Sequence, residues 1–121
     1  MIEMLKGFPE NALAVACRGK ITRRDYETVL IPAVEAALKT HDKLRLYYEI
    51  DADFTGVEAG AVLEDMKVGL EHLSRWERVA LVADVEWIRC TMMAFAFMMP
   101  CPVKAFHTND AAAARAWITA A

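Results

Sequence analysis

The sequence has few of the residues that mark flexible, disulfide-bonded or nucleic-acid-binding chains. Five glycines and four prolines occur among 121 residues, of which 56% are hydrophobic, so the composition is that of a folded chain. Three cysteines, Cys17, Cys90 and Cys101, are odd in number and lack C-x-x-C spacing, which argues against a disulfide framework or a zinc knuckle. The net charge is −3 and the basic residues do not cluster, so we expect no nucleic-acid partner.

Long hydrophobic runs are also missing. The longest run, Met92 to Met99, is far shorter than the roughly 20 residues of a helix that spans a bilayer. The N-terminus does not have the pattern of a secretory signal. We therefore expect a cytoplasmic protein without a spanning helix, with peripheral contact as the closest approach to a membrane. The length predicts a single domain over residues 1–121.

Strands and helices alternate along most of the chain. Apolar runs bounded by turn formers predict five strands, at 2–5, 12–17, 44–50, 79–83 and 103–106. The first two flank a short loop and should form a hairpin, and the second is apolar throughout, as is typical of a strand covered on both faces. The element order β-β-α-β-α-β-α-β-α predicts an α/β fold with one mixed, mostly parallel five-stranded sheet flanked by about four helices.

Capping residues and periodicity locate the helices. Thr22 is the predicted N-cap of the first, with Asp25 as its capping-box partner, and Pro32 predicts a kink or a new helical start near Leu30 or Ile31. Asp84 is expected to cap the third helix, which Pro100 ends. The apolar stripe of the second helix consists of Ala59, Val62, Leu63, Met66, Leu70 and Leu73. The last helix begins at Asn109 or Asp110 and should dock through Ala114, Trp117, Ile118 and Ala121.

The third helix, predicted over residues 85–99, is apolar on too many sides. One stripe should face the sheet and consists of Ile88, Met92, Phe95 and Met99. Met93 and Phe97 fall on the opposite side, where a solvated helix carries polar residues. A second subunit, a hydrophobic ligand beneath a mobile helix, a membrane surface, or a neighbouring helix or loop would explain them.

Several motifs, taken in order, carry a resemblance to a known family. They are Leu30–Leu38, Leu44–Glu49, Glu64–His72, Arg78–Asp84, Trp87, Phe106 and Ala113–Trp117. Over nearly its whole length the chain resembles the SpoIIAA-like family, whose STAS-type domain is similar to CRAL-TRIO lipid-binding domains. The resemblance implies a mixed sheet flanked by helices, a small-molecule or lipid pocket beside the helices, and open and closed states. It implies no known reaction.

The phosphorylation site of some STAS relatives has no counterpart here. Relatives that antagonise anti-sigma factors are regulated at a Ser in an Asp-Ser motif at the start of the second helix. The corresponding turn of this chain reads Asp53-Phe54-Thr55-Gly56, which leaves Thr55 as the one phosphate acceptor near that helix N-terminus. An ordinary capping role for Thr55 is the simpler interpretation.

Asp51, Asp53 and Asp84 follow predicted strands, at the carboxyl ends where open α/β sheets bind ligands. A Mg²⁺ site or an acid–base pair would need two of these carboxylates to converge, and turn and cap roles explain them more simply. His41, His72 and His107 lie in separate segments with no ligand spacing. Apolar surroundings should raise the pKa of Cys90 and Cys101. We therefore expect no catalytic residue, metal ion or cofactor.

The favoured function is a non-enzymatic domain that binds an apolar or amphipathic small molecule or lipid, with helix 85–99 as a mobile wall of the pocket. The predicted ligand contacts are Trp87, Met92, Met93 and Phe97, with Phe54 and Thr55 at the rim. The alternative is a regulatory protein–protein interaction or homodimerisation module of STAS type that uses the same helix face.

Overall fold

The computed structural model describes residues 1–120, apart from the side chains at 65, 66, 68–70, 73 and 95. Five positions assigned above to apolar stripes or docking faces lie outside the described residues: Met66, Leu70, Leu73, Phe95 and Ala121.

Seven strands form two sheets. They are β1 Ile2–Met4, β2 Ala12–Cys17, β3 Lys20–Ile21, β4 Leu44–Ile50, β5 Gly56–Val57, β6 Trp76–Val82 and β7 Val103–Phe106. The main sheet has the order β1-β2-β4-β6-β7, with β1 antiparallel to β2 and the other pairs parallel. The predicted hairpin and the mixed, mostly parallel sheet are confirmed. The short parallel pair β3–β5 has no counterpart in the prediction.

Helices connect the strands. They are α1 Arg23–Asp25, a π-helical turn Tyr26–Leu30, α2 Ile31–Thr40, α3 Ala59–Glu71, a 3-10 turn Leu73–Arg75, α4 Glu86–Ala96, a 3-10 turn Thr108–Asp110 and α5 Ala111–Thr119. The third helix is thus shorter than the predicted 85–99, because the chain turns at Phe97 and Met98, before Pro100 is reached. Among the described residues, no helix has the length and apolar character needed to cross a bilayer.

The crossovers place α1–α4 on one face of the main sheet, here called the front face, and α5 on the other, the back face. Successive parallel strands are added in one direction, and right-handed connections then keep their helices on the same side. The front core joins Val15 and Leu81 to Leu30 and Val34 of the helical layer. The back core joins strand residues to α5 and contains Ala14, Tyr47, Ala80, Val82, Ala114 and Ile118.

The start of the first helical segment follows the sequence closely. The Thr22 hydroxyl accepts a hydrogen bond from the Asp25 N–H, and the Asp25 side chain accepts one from the Thr22 N–H, which completes the predicted capping box. The predicted new helical start at Ile31 is also confirmed. The Ile31 N–H donates to the Tyr26 carbonyl five residues back, so a π turn immediately precedes Pro32, which cannot donate a backbone hydrogen bond.

The predicted apolar stripe of α3 is wrong at its described positions. Ala61 is fully buried, whereas Val62 and Leu63 are exposed. Close packing against α1 explains the rotation, because a Cβ atom at Gly60 would lie 3.2 Å from the Arg23 side chain. In this first part of α3, Ala61 therefore faces inward and Leu63 faces solvent.

Candidate functional site

An apolar pocket lies between α3 and α4 on the front face. It is open to solvent on one side and has a volume of about 80 Å³. Strands β4 and β6 provide its floor, α3 contributes Val62, and the small β3–β5 sheet closes one end. The residues that line it are Ile21, Tyr26, Tyr48, Ile50, Phe54, Val57, Val62, Leu81, Trp87, Ile88, Thr91 and Met92.

Phe54 reaches the pocket because the loop after β4 is fastened to the β2–β3 turn. The Thr55 N–H donates to the Gly19 carbonyl at 2.9 Å, and the Gly19 N–H donates to Asp53 Oδ1 at 3.3 Å. Gly19 has φ near +57°, a left-handed conformation that glycine adopts without strain. The pairing of β3 with β5 completes this clasp, which holds the Phe54 ring against that of Trp87 with centroids 6.4 Å apart.

Two tyrosines supply buried polar groups within the apolar lining. The hydroxyls of Tyr26 and Tyr48 lie 2.6 Å apart and are hydrogen-bonded to each other in a buried position. Tyr26 comes from the π turn and Tyr48 from β4, so the bond joins the helical layer to the sheet directly beneath the pocket. Hydrogen-bonded hydroxyls of this kind can orient a ligand without a charge in the pocket.

The structure brings together three of the six predicted site residues. Phe54, Trp87 and Met92 line the pocket, and Trp87 is 52% exposed, which places it at the mouth. Thr55 is exposed outside the lining. Met93 lies outside because it is one position beyond Met92 on α4, about 100° round the helix. Phe97 lies outside because it follows the last residue of α4.

Large apolar side chains are exposed at the C-terminal end of α4 and in the turn that follows it. Phe97 is 94% exposed and Met93 is 44% exposed, and Met98 in the following turn is exposed as well. No helix or loop in the described part of the chain covers Phe97. The interpretation that a neighbouring element buries Phe97 and Met93 is therefore wrong. On the opposite side of the helix, Ile88 and Met92 pack against the front core as predicted, and so does Met99, which lies beyond the end of α4.

The three candidate carboxylates each have a structural partner. Asp51 Oδ2 lies 2.8 Å from Arg18 Nη1, and Asp53 is part of the Gly19 clasp. The predicted capping of α4 by Asp84 is wrong, because its carboxylate accepts hydrogen bonds from the Thr108 N–H and hydroxyl instead. These hydrogen bonds hold the pKa of Asp84 below its ordinary value. Asp51 and Asp84 nevertheless border one open cleft of about 580 Å³, which shares Ile50 and Phe54 with the apolar pocket.

The cysteines have the environments of unreactive thiols in two of three cases. Cys17 is fully buried, and burial raises the pKa of the half-buried Cys101 thiol. Cys90, expected in apolar surroundings, is exposed on α4, because it lies on the side of the helix away from the sheet.

A protein-family model described as SpoIIAA-like matches residues 12–119, which is most of the chain. The chain belongs to the SpoIIAA-like family. A solved structure supports the same assignment: an uncharacterised protein of the DUF3478 family with a SpoIIAA-like fold from Shewanella loihica PV-4. It is 27% identical, with a TM-score of 0.73, and the match covers 98% of this chain and 92% of that one. No curated protein matches the chain.

Most of the pocket lining in this SpoIIAA-like chain could not be named from sequence. Tyr26 and Tyr48 lie 22 residues apart in different elements, and only the register of β4 beneath the π turn brings their hydroxyls together. Two residues of the pocket floor could have been identified, because Tyr48 and Ile50 are two positions apart in a predicted strand and therefore share one face of the sheet. The β3–β5 clasp gave no signal, since two-residue strands are too short to show periodicity.

Proposed function

We propose that this SpoIIAA-like domain binds an apolar or amphipathic small molecule or lipid in the pocket between α3 and α4, with α4 as a movable wall. The observation that supports this most strongly is the apolar pocket with Trp87 half exposed at its mouth. The Trp87 ring is tilted against that of Phe54, and its apolar surface remains exposed to water unless a ligand covers it.

The size of the pocket requires a movable wall if a lipid is to bind. Its 80 Å³ is smaller than a cavity of about 150 Å³ that holds one benzene, and far below the roughly 300–1,000 Å³ of pockets for larger ligands. A lipid chain therefore requires α3 and α4 to separate. Ile88 and Met92 of α4 and Met99 of the following turn contact the front core, and flexible Met side chains can repack when the helix shifts.

The adjoining cleft favours an amphipathic ligand over a purely apolar one. The cleft and the pocket meet at Ile50 and Phe54, and the cleft carries the polar side chains of Glu49, Asp51 and Thr108. A molecule with its apolar part beneath Trp87 would extend its polar end into this solvated region. The polar groups of the cleft would then orient the ligand, and the pocket would supply the binding energy.

Binding without catalysis is our preferred activity. Catalysis would need a poised acid, base or nucleophile, whereas Asp51 is paired with Arg18, and Asp84 accepts hydrogen bonds from Thr108 and lies 3.2 Å from Nδ1 of the solvent-exposed His107. The raised pKa of Cys101 disfavours its thiolate, which is the nucleophilic form. We also propose a cytoplasmic location, since the three cysteines are free thiols.

Native mass spectrometry of the purified protein, before and after organic extraction, tests this proposal. We expect an extractable apolar adduct on the folded chain. The protein stripped of that adduct should bind N-phenyl-naphthylamine, an uncharged fluorescent probe that is larger than the 80 Å³ pocket. A stripped protein that does not bind the probe and never carries an adduct would contradict the proposal.

Two variants on the same helix sharpen the test. Trp87→Ala removes the side chain at the mouth and should weaken probe binding by about tenfold, whereas Met93→Ala should leave it unchanged. Both residues are half exposed, so neither change should unfold the domain. Equal weakening by the two variants would show that the probe binds the outer side of α4 instead of the pocket.

Self-association is a second candidate function, favoured by the 94% exposure of Phe97 beside Met98 and Met93. A second copy of the chain, or a regulatory partner protein, would cover these side chains. Phe97→Glu should then convert a dimer to a monomer in sedimentation experiments while probe binding stays intact. Loss of probe binding without any change in sedimentation would contradict both proposals, because Phe97 lies outside the pocket lining.

A further inference from the structure

The C-terminal end of α3 and the middle of α2 enclose a second, polar recess that is separate from the apolar pocket. It has a volume of about 120 Å³ and a floor of Ile31 and Val34. Glu35 projects into it from α2, and Glu71 and His72 enter it from the end of α3. One ligand atom from each of these three side chains lies within 4.8 Å of the other two.

The three side chains are a mixed donor set. Imidazole nitrogen with carboxylate oxygen suits Zn²⁺, which forms bonds of about 2.0–2.2 Å to both and so holds neighbouring donors about 3.3 Å apart. His72 Nε2 and Glu35 Oε1 are already 3.9 Å apart. His72 is the fixed member, with 19% of its side chain exposed, whereas the Glu35 side chain is 54% exposed and Glu71 is also exposed. Rotation of the two solvated glutamate side chains would bring the three donor atoms to this spacing.

The electrostatics of the recess favour a cation. Glu35, Glu64 and Glu71 line it, and among its described lining residues Lys67 is the one cationic side chain. Arg23 reaches Glu64 at 3.5 Å, which leaves Glu35 and Glu71 facing His72. Glu71 is also the last residue of α3, where the helix dipole is negative and a carboxylate is unfavourable.

We propose that Glu35, Glu71 and His72 bind a divalent transition-metal ion, of which Zn²⁺ fits the donor set best, with water completing the coordination. The ion would join α2 to the C-terminal end of α3. Since α3 carries Val62 on the wall of the apolar pocket, the ion would also restrain that wall. Sequence spacing could not indicate this set, because Glu35 and His72 are 37 positions apart and come from different helices.

Calorimetric titration of the EDTA-treated, tag-free full chain with Zn²⁺ tests the site. We expect one ion per chain and a rise in melting temperature on binding. Glu35→Gln and His72→Asn should each weaken Zn²⁺ by about tenfold or more, since even changes one shell further out have effects of that size. Glu86→Gln and His107→Asn, which lie elsewhere on the surface, are the matched controls and should leave the affinity unchanged.

Three results would overturn the proposal: no binding of Zn²⁺, binding that Glu35→Gln does not weaken, or Mg²⁺ binding as tight as that of Zn²⁺. Glu35 is half exposed, so its replacement leaves the fold intact even if His72→Asn is unstable. Co²⁺ provides a spectroscopic check, because its visible absorption should change when His72 is replaced. None of these measurements depends on whether the apolar pocket binds a ligand.

Discussion

Helices α4 and α5 are similar in length and apolar content, but they are attached to the sheet in different ways. Both ends of α5 are tied by polar contacts. Asp84 accepts hydrogen bonds at the Thr108 turn that precedes it, and Arg45 and Arg78 donate to the carbonyls of Trp117, Ile118 and Ala120 at its end. Helix α4 packs on the front core through partly buried Ile88 and Met92, donates one side-chain hydrogen bond near its beginning from Arg89 Nη1 to the Ala83 carbonyl at 2.9 Å, and leaves Trp87 exposed.

This difference suggests how one small domain combines a fixed side with an adaptable one. Arg45 and Arg78 are register partners on β4 and β6, and two like charges side by side would repel each other without the negative end of α5 above them. The polar contacts thus specify one position for α5. Apolar contacts are less directional, so we propose that α4 can move where α5 cannot.

The largest effect should come from the core beneath α5. Ile118 is fully buried, so Ile118→Ala should lower the free energy of unfolding by about 3 kcal/mol. Ile88→Ala on α4 is the matched change and should cost about half as much, because Ile88 is only partly buried beside the pocket. Urea denaturation measures both. Equal losses would mean that α4 is packed as firmly as α5.

Next in size is the loss of an arginine that caps α5. Arg45 Nη1 donates to the Ile118 carbonyl at 2.9 Å, and its Nε pairs with Glu77. Arg45→Met should cost about 2 kcal/mol, because it leaves the part-buried Ile118 carbonyl and the Glu77 carboxylate without their charged donor. Arg24→Met, at an exposed position, should change stability by less than about 0.5 kcal/mol. If Arg45→Met has only a small effect on the free energy of unfolding, the polar contacts of Arg45 do not hold α5 in place.

A smaller effect is expected beneath the pocket. Tyr26→Phe removes one hydroxyl of the buried pair with Tyr48 and should cost about 1 kcal/mol. The same variant should alter the affinity for N-phenyl-naphthylamine, since the hydroxyl lies in the pocket lining. Thermal denaturation and fluorescence titration give the two values. Unchanged stability and unchanged affinity together would show that this hydrogen bond contributes neither to the stability of the front face nor to probe binding.

The smallest expected effect is on stability at low pH. Hydrogen bonds from Thr108 lower the folded-state pKa of Asp84, so the ionised carboxylate favours the folded state. That contribution is present above the unfolded pKa, near 3.9, and is lost as the pH falls through the lower folded pKa. Asp84→Asn should therefore flatten the decline of stability below about pH 4. If the variant and the parent chain lose stability in parallel there, Asp84 does not tether α5 as described.

The fold followed from the sequence because most of its signals are local. Apolar runs located the five strands of the main sheet, and the Thr22 capping box and Pro32 located the first helical segments. Errors arose where packing overrides periodicity. In α3, the close approach of Gly60 to Arg23 turned Ala61 inward and Leu63 outward, and no hydrophobic pattern within α3 itself reports that contact.

The candidate site was only half predictable, for a related reason. Phe54, Trp87 and Met92 could be proposed from their positions near strand ends and on the helix stripe, and they do line the pocket. The arginine caps were missed altogether. Arg75 likewise donates to the carbonyls of Leu38 and His41 at the end of α2, across more than 30 positions of sequence. Such contacts depend on strand register, which one sequence does not reveal.

Hydrogen–deuterium exchange tests the central claim most directly, because it compares the two helices in one experiment. In the ligand-free protein, amides of Glu86–Ala96 should exchange markedly faster than those of Ala111–Thr119, and N-phenyl-naphthylamine should slow exchange in the first group alone. Equal protection of the two helices, unchanged when the probe is added, would contradict the proposal that α4 is the movable wall of a binding pocket.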